Sequence, residues 1–241
     1  MNAVGPAFRG RPLRGHPTRK VPQLLARLYR VLLEAFGPQH WWPGETPFEV
    51  MVGAVLTQNT NWRNVERAIV NLKAAGVLAP GPLSRVGEEE LARLVQPSGF
   101  FRIKARRLKA LMDWLMATAG GDMVRLRRRP LARLREELLR LPGIGPETAD
   151  SILLYALGKP TFVVDAYTCR ALGRHGLIDP GPAGSARYDE VKALFESSFP
   201  HRVALFNEYH ALFVELGKRF CRPRPRCADC PARAVLGEPS L

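Results

Sequence analysis

The residues best placed to do chemistry stand at Leu141-Pro-Gly-Ile-Gly-Pro-Glu-Thr-Ala-Asp150 and, past one apolar run, at Val163-Val-Asp-Ala-Tyr-Thr-Cys-Arg170. Gly143 and Gly145 flank a single aliphatic residue, a spacing that lets the backbone turn sharply and approach a ligand closely. Apolar residues recur with helical spacing on both sides: Leu131, Leu134, Leu138 and Leu141 before the turn, Ala149, Ile152, Leu153 and Ala156 after it. A helix that starts here opens with unbonded N–H groups and the positive end of its dipole, which suits a phosphate. Seventeen residues beyond Thr148 comes Asp165, a carboxylate in an otherwise apolar segment of Phe162, Val163, Val164 and Ala166. A phosphate-gripping turn joined by one helix to a lone acid points to chemistry on a nucleic acid. Asp is also a favoured helix N-cap, so Asp165 has a structural role open to it as well.

Three of the four cysteines crowd one stretch, Cys221, Cys227 and Cys230. That spacing in an intracellular chain suggests metal ligation more than disulfides, and it is similar to iron–sulfur ligation.

The elements that must position these groups read as helix after helix. One runs from about 22 to 36 on the stripe Leu24, Leu25, Leu28, Val31 and Leu32, and Gly37-Pro38 ends it. Further helices are expected near 47–57, 60–75, 87–95, 101–117, 131–140, 146–157, 164–175, 185–198 and 202–219, separated by glycine breaks and the Pro180–Gly184 loop. No strand pattern or fixed repeat stands out, so the expected class is all-α. Residues 1–22 carry five basic side chains and no acid, and read as a flexible basic tail. The cluster Arg125–Arg129 reads as a solvated loop face.

Composition agrees with a polyanionic partner. The 241-residue chain has a formal net charge of +14, an excess that draws nucleic acid with strong salt dependence. No apolar run nears the roughly 18 residues of a membrane helix, and no signal-peptide pattern opens the chain. A soluble cytoplasmic, nucleoid-associated protein without a membrane partner is expected.

At this point a resemblance can be stated. The turn Leu141–Asp150 with Asp165 resembles the helix-hairpin-helix and Gly/Pro-Asp signature of the DNA glycosylase superfamily that includes endonuclease III. The likeness spans roughly 23–230 and includes Thr57-Gln58-Asn59-Thr60 and Ser98-Gly99-Phe100 with Lys104-Ala105. It implies two helical lobes with a DNA-binding cleft between them, one of about 39–158 with the hairpin, the other 23–38 plus 159–241. It implies a monomer that flips a damaged nucleotide out of double-stranded DNA and breaks its N-glycosidic bond. A fixed carboxylate near the sugar stabilises the oxocarbenium-like charge, and Asp165 occupies that position. By the same likeness Leu141, Gly143, Ile144, Gly145 and Thr148 would contact DNA, with a monovalent cation at the hairpin. Gln58 and Phe100 would fill the gap left by the flipped nucleotide.

Two departures sharpen what the resemblance implies. The strand-cutting branch carries a lysine two residues after the second hairpin glycine, whose amine forms a Schiff base. Here that position is Glu147, and a carboxylate forms no imine, so the AP lyase step should be lost or very weak. The run Trp41-Trp42-Pro43, with Phe48-Glu49 and Asn61-Trp62, looks like the 3-methyladenine branch. That likeness makes Trp42 and Trp62 aromatic walls for a cationic alkylated purine and puts Lys218 in the base pocket, although a second lysine of that branch is Leu212 here. The alternatives are an oxidised-pyrimidine glycosylase with lyase activity and a non-catalytic lesion-binding protein. Relatives with a [4Fe-4S] cluster have a fourth cysteine near position 236, where this chain has Leu236. The cluster's presence and its fourth ligand therefore stay open, with Arg170 matching an arginine that contacts the cluster.

Overall fold

The structure is a computed structural model that describes residues 21–178 and 185–239. The basic-tail expectation therefore lies almost wholly outside the described residues, as does the loop at 180–184. The exceptions are Val21 and Pro22, which open the first helix, α1 (Val21–Phe36), rather than closing a tail. Val21 is buried with Leu25, Leu28 and Leu32, so the apolar stripe begins three residues before Leu24.

The chain divides into two compact units, Trp42–Lys159, and Met1–Trp41 with Pro160–Leu241. Within the first, α2 (Pro47–Leu56) is buried on every side from Phe48 to Leu56, as befits the centre of a helical block. Thr46 caps it by accepting from the Glu49 N–H at 3.1 Å, with Pro47 preset for the first turn. Around it lie α3 (Trp62–Ala74), capped by Asn61, then α4 (Pro80–Arg85), α5 (Glu88–Leu94) and the long α6 (Phe101–Ala119). They are followed by α7 (Met123–Arg127), α8 (Leu131–Leu139) and α9 (Pro146–Ser151). The expected single helix over 146–157 is instead α9 followed by a π turn, Ile152–Ala156, in which Leu157 N–H reaches back to Ile152. The face expected at 125–129 is solvated, with Arg125, Arg127 and Arg128 exposed, but its first three residues are helical rather than loop. Asp122 caps a short helix there, and the Arg129 guanidinium closes two bonds of 2.7 and 2.8 Å on Glu137.

The second unit pairs α1 with α10 (Ala166–Arg174), α11 (Ser185–Ser198), α12 (Val203–Arg219) and α13 (Arg233–Leu236). Its core is aromatic: Phe162 stacks on Phe195 at 3.9 Å, Tyr209 stacks on Phe213, and the buried Tyr209 hydroxyl donates to the Leu25 carbonyl at 2.8 Å. Gly217 lets α10 sit tightly on α12, because a Cβ there would fall 2.1 Å from a Tyr167 ring carbon. Among the described residues there is no strand, and no helix is long and apolar enough to cross a membrane.

Candidate DNA-binding and catalytic site

The hairpin is built as its glycines require. Gly143 has φ +74°, a left-handed value that costs an L side chain about 1–2 kcal/mol. Gly145 is extended and caps α9. Both glycines are exposed, as is Glu147 in the first turn of α9. Ile144 departs from the expectation of a DNA contact. Its side chain is 4% exposed within the core and its N–H donates to the Leu141 carbonyl, so it anchors the turn from below. Leu141 packs on the same core. The fully buried Asp150 carboxylate takes Arg135 in bonds of 3.0–3.3 Å, tying α9 to α8 and fixing the angle of the hairpin.

Gln58 and Phe100 sit on two loops joined by a residue whose role the sequence reading missed. The Lys104 ammonium, wholly buried, donates to the Leu56 carbonyl at 2.9 Å and to the Ser98 carbonyl at 2.6 Å, stitching the loop after α2 to the loop before α6. Burial, then the nearby Arg107 charge, pushes its pKa down to about 8. Phe100 is 66% exposed and held in the left-handed region, φ 45°. An apolar ring kept in water at a strained backbone position is what a wedge needs. The Gln58 amide donates to the Gly143 carbonyl at 3.0 Å and to the Thr148 hydroxyl at 2.8 Å, and accepts from Arg107 at 2.5 Å. Thr148 is buried beneath Gln58, so it positions that side chain. Arg107, also unforeseen from the sequence, lies where a Gly143 Cβ would stand, 2.0 Å from its Nε.

Asp165 fills the structural role the sequence allowed. It is the N-cap of α10, and its Oδ1 accepts from the Thr168 N–H at 2.7 Å and the Thr168 hydroxyl at 2.8 Å. The preceding residues lie outside any helix, with the Phe162 N–H given to Glu196 and the Val164 N–H to the Tyr188 hydroxyl, so the helix begins at Ala166 rather than 164. The other oxygen, Oδ2, is 3.5 Å from His210 Nε2 on α12. Burial alone would push this carboxyl up. The His210 contact and charge, with the Thr168 donors, outweigh it and hold Asp165 below the usual carboxylate range. It is thus an ionised, desolvated carboxylate with one oxygen locked. The only trace of His210 in the sequence was one titratable residue in the apolar run Tyr209–Phe213.

The tryptophans are arranged differently from facing walls. Trp42 and Trp62 meet edge to face with centroids 5.3 Å apart and planes at 87°. A base between two parallel rings needs about 7 Å, twice a contact of about 3.5 Å. Trp42 also touches Tyr155 at 5.1 Å, so these rings form one aromatic cluster. Lys218 belongs to the other unit, its ammonium 5.2 Å from the Trp41 ring centroid. Lys159 donates to the Arg129 carbonyl at 2.7 Å.

Cys221, Cys227 and Cys230 line one small cavity, beside α10 and α12, while Cys169 does not. Arg170 donates to the Cys221 carbonyl at 2.6 Å, and Arg174 reaches the Cys221 sulfur at 3.3 Å. Leu236 is buried. Among the described residues no three Cys, His, Asp or Glu side chains stand as a group that could hold a single metal ion.

These features have counterparts in known proteins. The family described as HhH-GPD superfamily base excision DNA repair protein matches residues 52–201. A DNA repair glycosylase of Methanocaldococcus jannaschii, so named provisionally, is 46% identical over 213 residues, 88% of this chain and 94% of its own length. Endonuclease III of Thermotoga maritima is 30% identical over 209 residues, 86% of this chain and 89% of its own. The solved H. pylori 3-methyladenine DNA glycosylase, with 1,N6-ethenoadenine bound, is 30% identical with a TM-score of 0.67, covering 83% of this chain and 97% of that one. The matched residues run through the hairpin and through the turn that presents Asp165, and on that footing the chain belongs to the HhH-GPD superfamily of base excision DNA repair proteins, as a DNA-binding glycosylase.

Proposed function

We propose that this glycosylase removes alkylated purines of the 3-methyladenine type from duplex DNA and stops after base hydrolysis, leaving the strand intact. It would act as a monomer on cytoplasmic, nucleoid DNA. The observation that carries the reading is Glu147, a solvent-facing carboxylate where a strand-cutting relative needs an amine. Two other lysines that carry an amine are engaged elsewhere, Lys159 on a carbonyl and Lys218 over Trp41.

In this reading the hairpin's exposed Gly143 and Gly145 hold the DNA backbone, and a monovalent cation there would share the Gly143 carbonyl with Gln58. Phe100 and Gln58 enter the space vacated by the flipped nucleotide. Asp165 Oδ2, ionised and out of water, stabilises positive charge as the glycosidic bond lengthens and then orients the attacking water. An N3-alkylated purine already carries positive charge and leaves without a separate proton donor. The electron-rich Trp62–Trp42–Tyr155 cluster favours such a cation on one of its faces. Lys218 would repel it, which argues for a role at the phosphate or at Trp41 instead. The H. pylori relative, a 3-methyladenine DNA glycosylase by name and solved with the modified base 1,N6-ethenoadenine, supports the choice of a modified purine.

The test is base release from duplexes carrying 3-methyladenine, 7-methylguanine or oxidised pyrimidines, measured side by side with and without borohydride. Release of alkylated purine without a covalent protein–DNA adduct is expected. A borohydride-trapped adduct, or preferential release of oxidised pyrimidines, overturns the reading in favour of an endonuclease III-like lyase. Binding without any release overturns it in favour of a lesion-binding protein.

A further inference from the structure

The cavity lined by Cys221, Cys227 and Cys230 has a fourth occupant of its wall that no sequence spacing suggests. His175, the C-cap of α10, faces the same cavity. Its Nδ1 is buried and has no hydrogen-bond partner. A buried imidazole nitrogen without a partner forfeits its hydration for nothing, unless something else takes its lone pair. The backbone of Leu236 and Gly237 lies beside the ring. A metal-ligating histidine commonly gives its other N–H to such a carbonyl, which keeps the ligating nitrogen deprotonated and aimed. That backbone is also the stretch of chain where the resemblance calls for a fourth cysteine and the sequence supplies a buried leucine.

We propose that His175 Nδ1 is the fourth ligand of an iron–sulfur cluster whose other three ligands are Cys221, Cys227 and Cys230. The three thiolates and one imidazole are a four-donor set drawn from three separate segments. Arg174, 3.3 Å from the Cys221 sulfur, adds a charged donor that would raise the cluster's reduction potential. An imidazole in place of a thiolate acts in the same direction, since it brings no negative charge. The cluster would lock α10 to the segment 221–237, and Asp165 is the N-cap of α10.

Full-length protein purified without oxygen, with iron and sulfide resupplied, provides the test. The measurements are iron and acid-labile sulfide per chain, pulsed electron paramagnetic resonance of the reduced protein, and the reduction potential. The wild type is expected to carry about four irons per chain, absorb near 400 nm, and show a strongly coupled nitrogen. His175→Cys places a sulfur about where Nδ1 stands. It is expected to keep the iron, lose the nitrogen coupling and shift to lower potential. His175→Ala is expected to lose most of the iron. Stoichiometric zinc without sulfide, a wild type that takes up no iron, or a four-iron wild type without nitrogen coupling would each overturn the assignment. So would a His175→Cys protein identical to wild type in resonance and potential.

Discussion

Gly143→Ala probes the hairpin at two levels that can be separated. The new Cβ would stand 2.0 Å from Arg107 Nε and 2.7 Å from its Cδ and Cζ, so the guanidinium must leave. Its departure breaks the 2.5 Å bond to Gln58, a charge-assisted contact worth about 1.5 kcal/mol before solvent screening. The φ of +74° adds about 1–2 kcal/mol of backbone strain. With solvent screening taking the contact to about 1 kcal/mol, the expected loss of stability is about 2–3 kcal/mol in urea unfolding. In an Arg107→Ala background only the strain remains, about 1–2 kcal/mol. A double-mutant cycle reads the difference as a coupling of about 1 kcal/mol. Equal costs in the two backgrounds would show that Arg107 does not pack on the turn. A cost under about 0.5 kcal/mol in both would show that the turn is not left-handed.

Other expectations follow from buried charges. Lys104 has a folded-state pKa of about 8, below the unfolded value of about 10.4, so the unfolded chain binds more protons between them. Stability should accordingly rise with pH across that window, and Lys104→Met should remove the rise. Arg135→Ala strands the Asp150 carboxylate in the core and should cost about 3–5 kcal/mol by denaturant midpoint, since an uncompensated buried charge is left behind. The depressed pKa of Asp165 makes its ionised form a stabilising one, present above about pH 3.9 and lost as pH falls through the folded value. Single-turnover base release should be insensitive to this carboxyl from neutral pH down to about 5; a rise in rate on acidification across pH 7–5 would mean a protonated acid is required.

How much was legible follows from the length scale of each signal. Long helices announce themselves through repeated apolar spacing, and α1, α6 and α12 were readable on that ground. The one-turn helices α4, α7 and α13 are too short for periodicity to register, and the π turn after α9 leaves the apolar pattern intact while changing the bonding. Among the candidate site residues, Asp165, Gly143 and Gly145 were visible because chemistry and conformation both restrict residue type. Ile144 was misjudged because a hairpin's tip and its buried anchor alternate along three residues. The edge-to-face packing of Trp42 on Trp62, and the meeting of Gln58, Arg107 and Thr148, depend on tertiary geometry that no local pattern encodes. His210 and His175 are single residues far along the chain from the groups they face.

The central claim is that Asp165 drives base loss while other residues hold the DNA. Asp165→Asn keeps an oxygen for the Thr168 donors and removes the charge. The decisive measurement is single-turnover release of 3-methyladenine by this variant, with duplex affinity measured on the same samples. The account expects release to fall by at least about 100-fold, the scale of losing one preorganised electrostatic contact, with affinity changed little. Release at the wild-type rate by a folded, DNA-bound Asp165→Asn protein would contradict it.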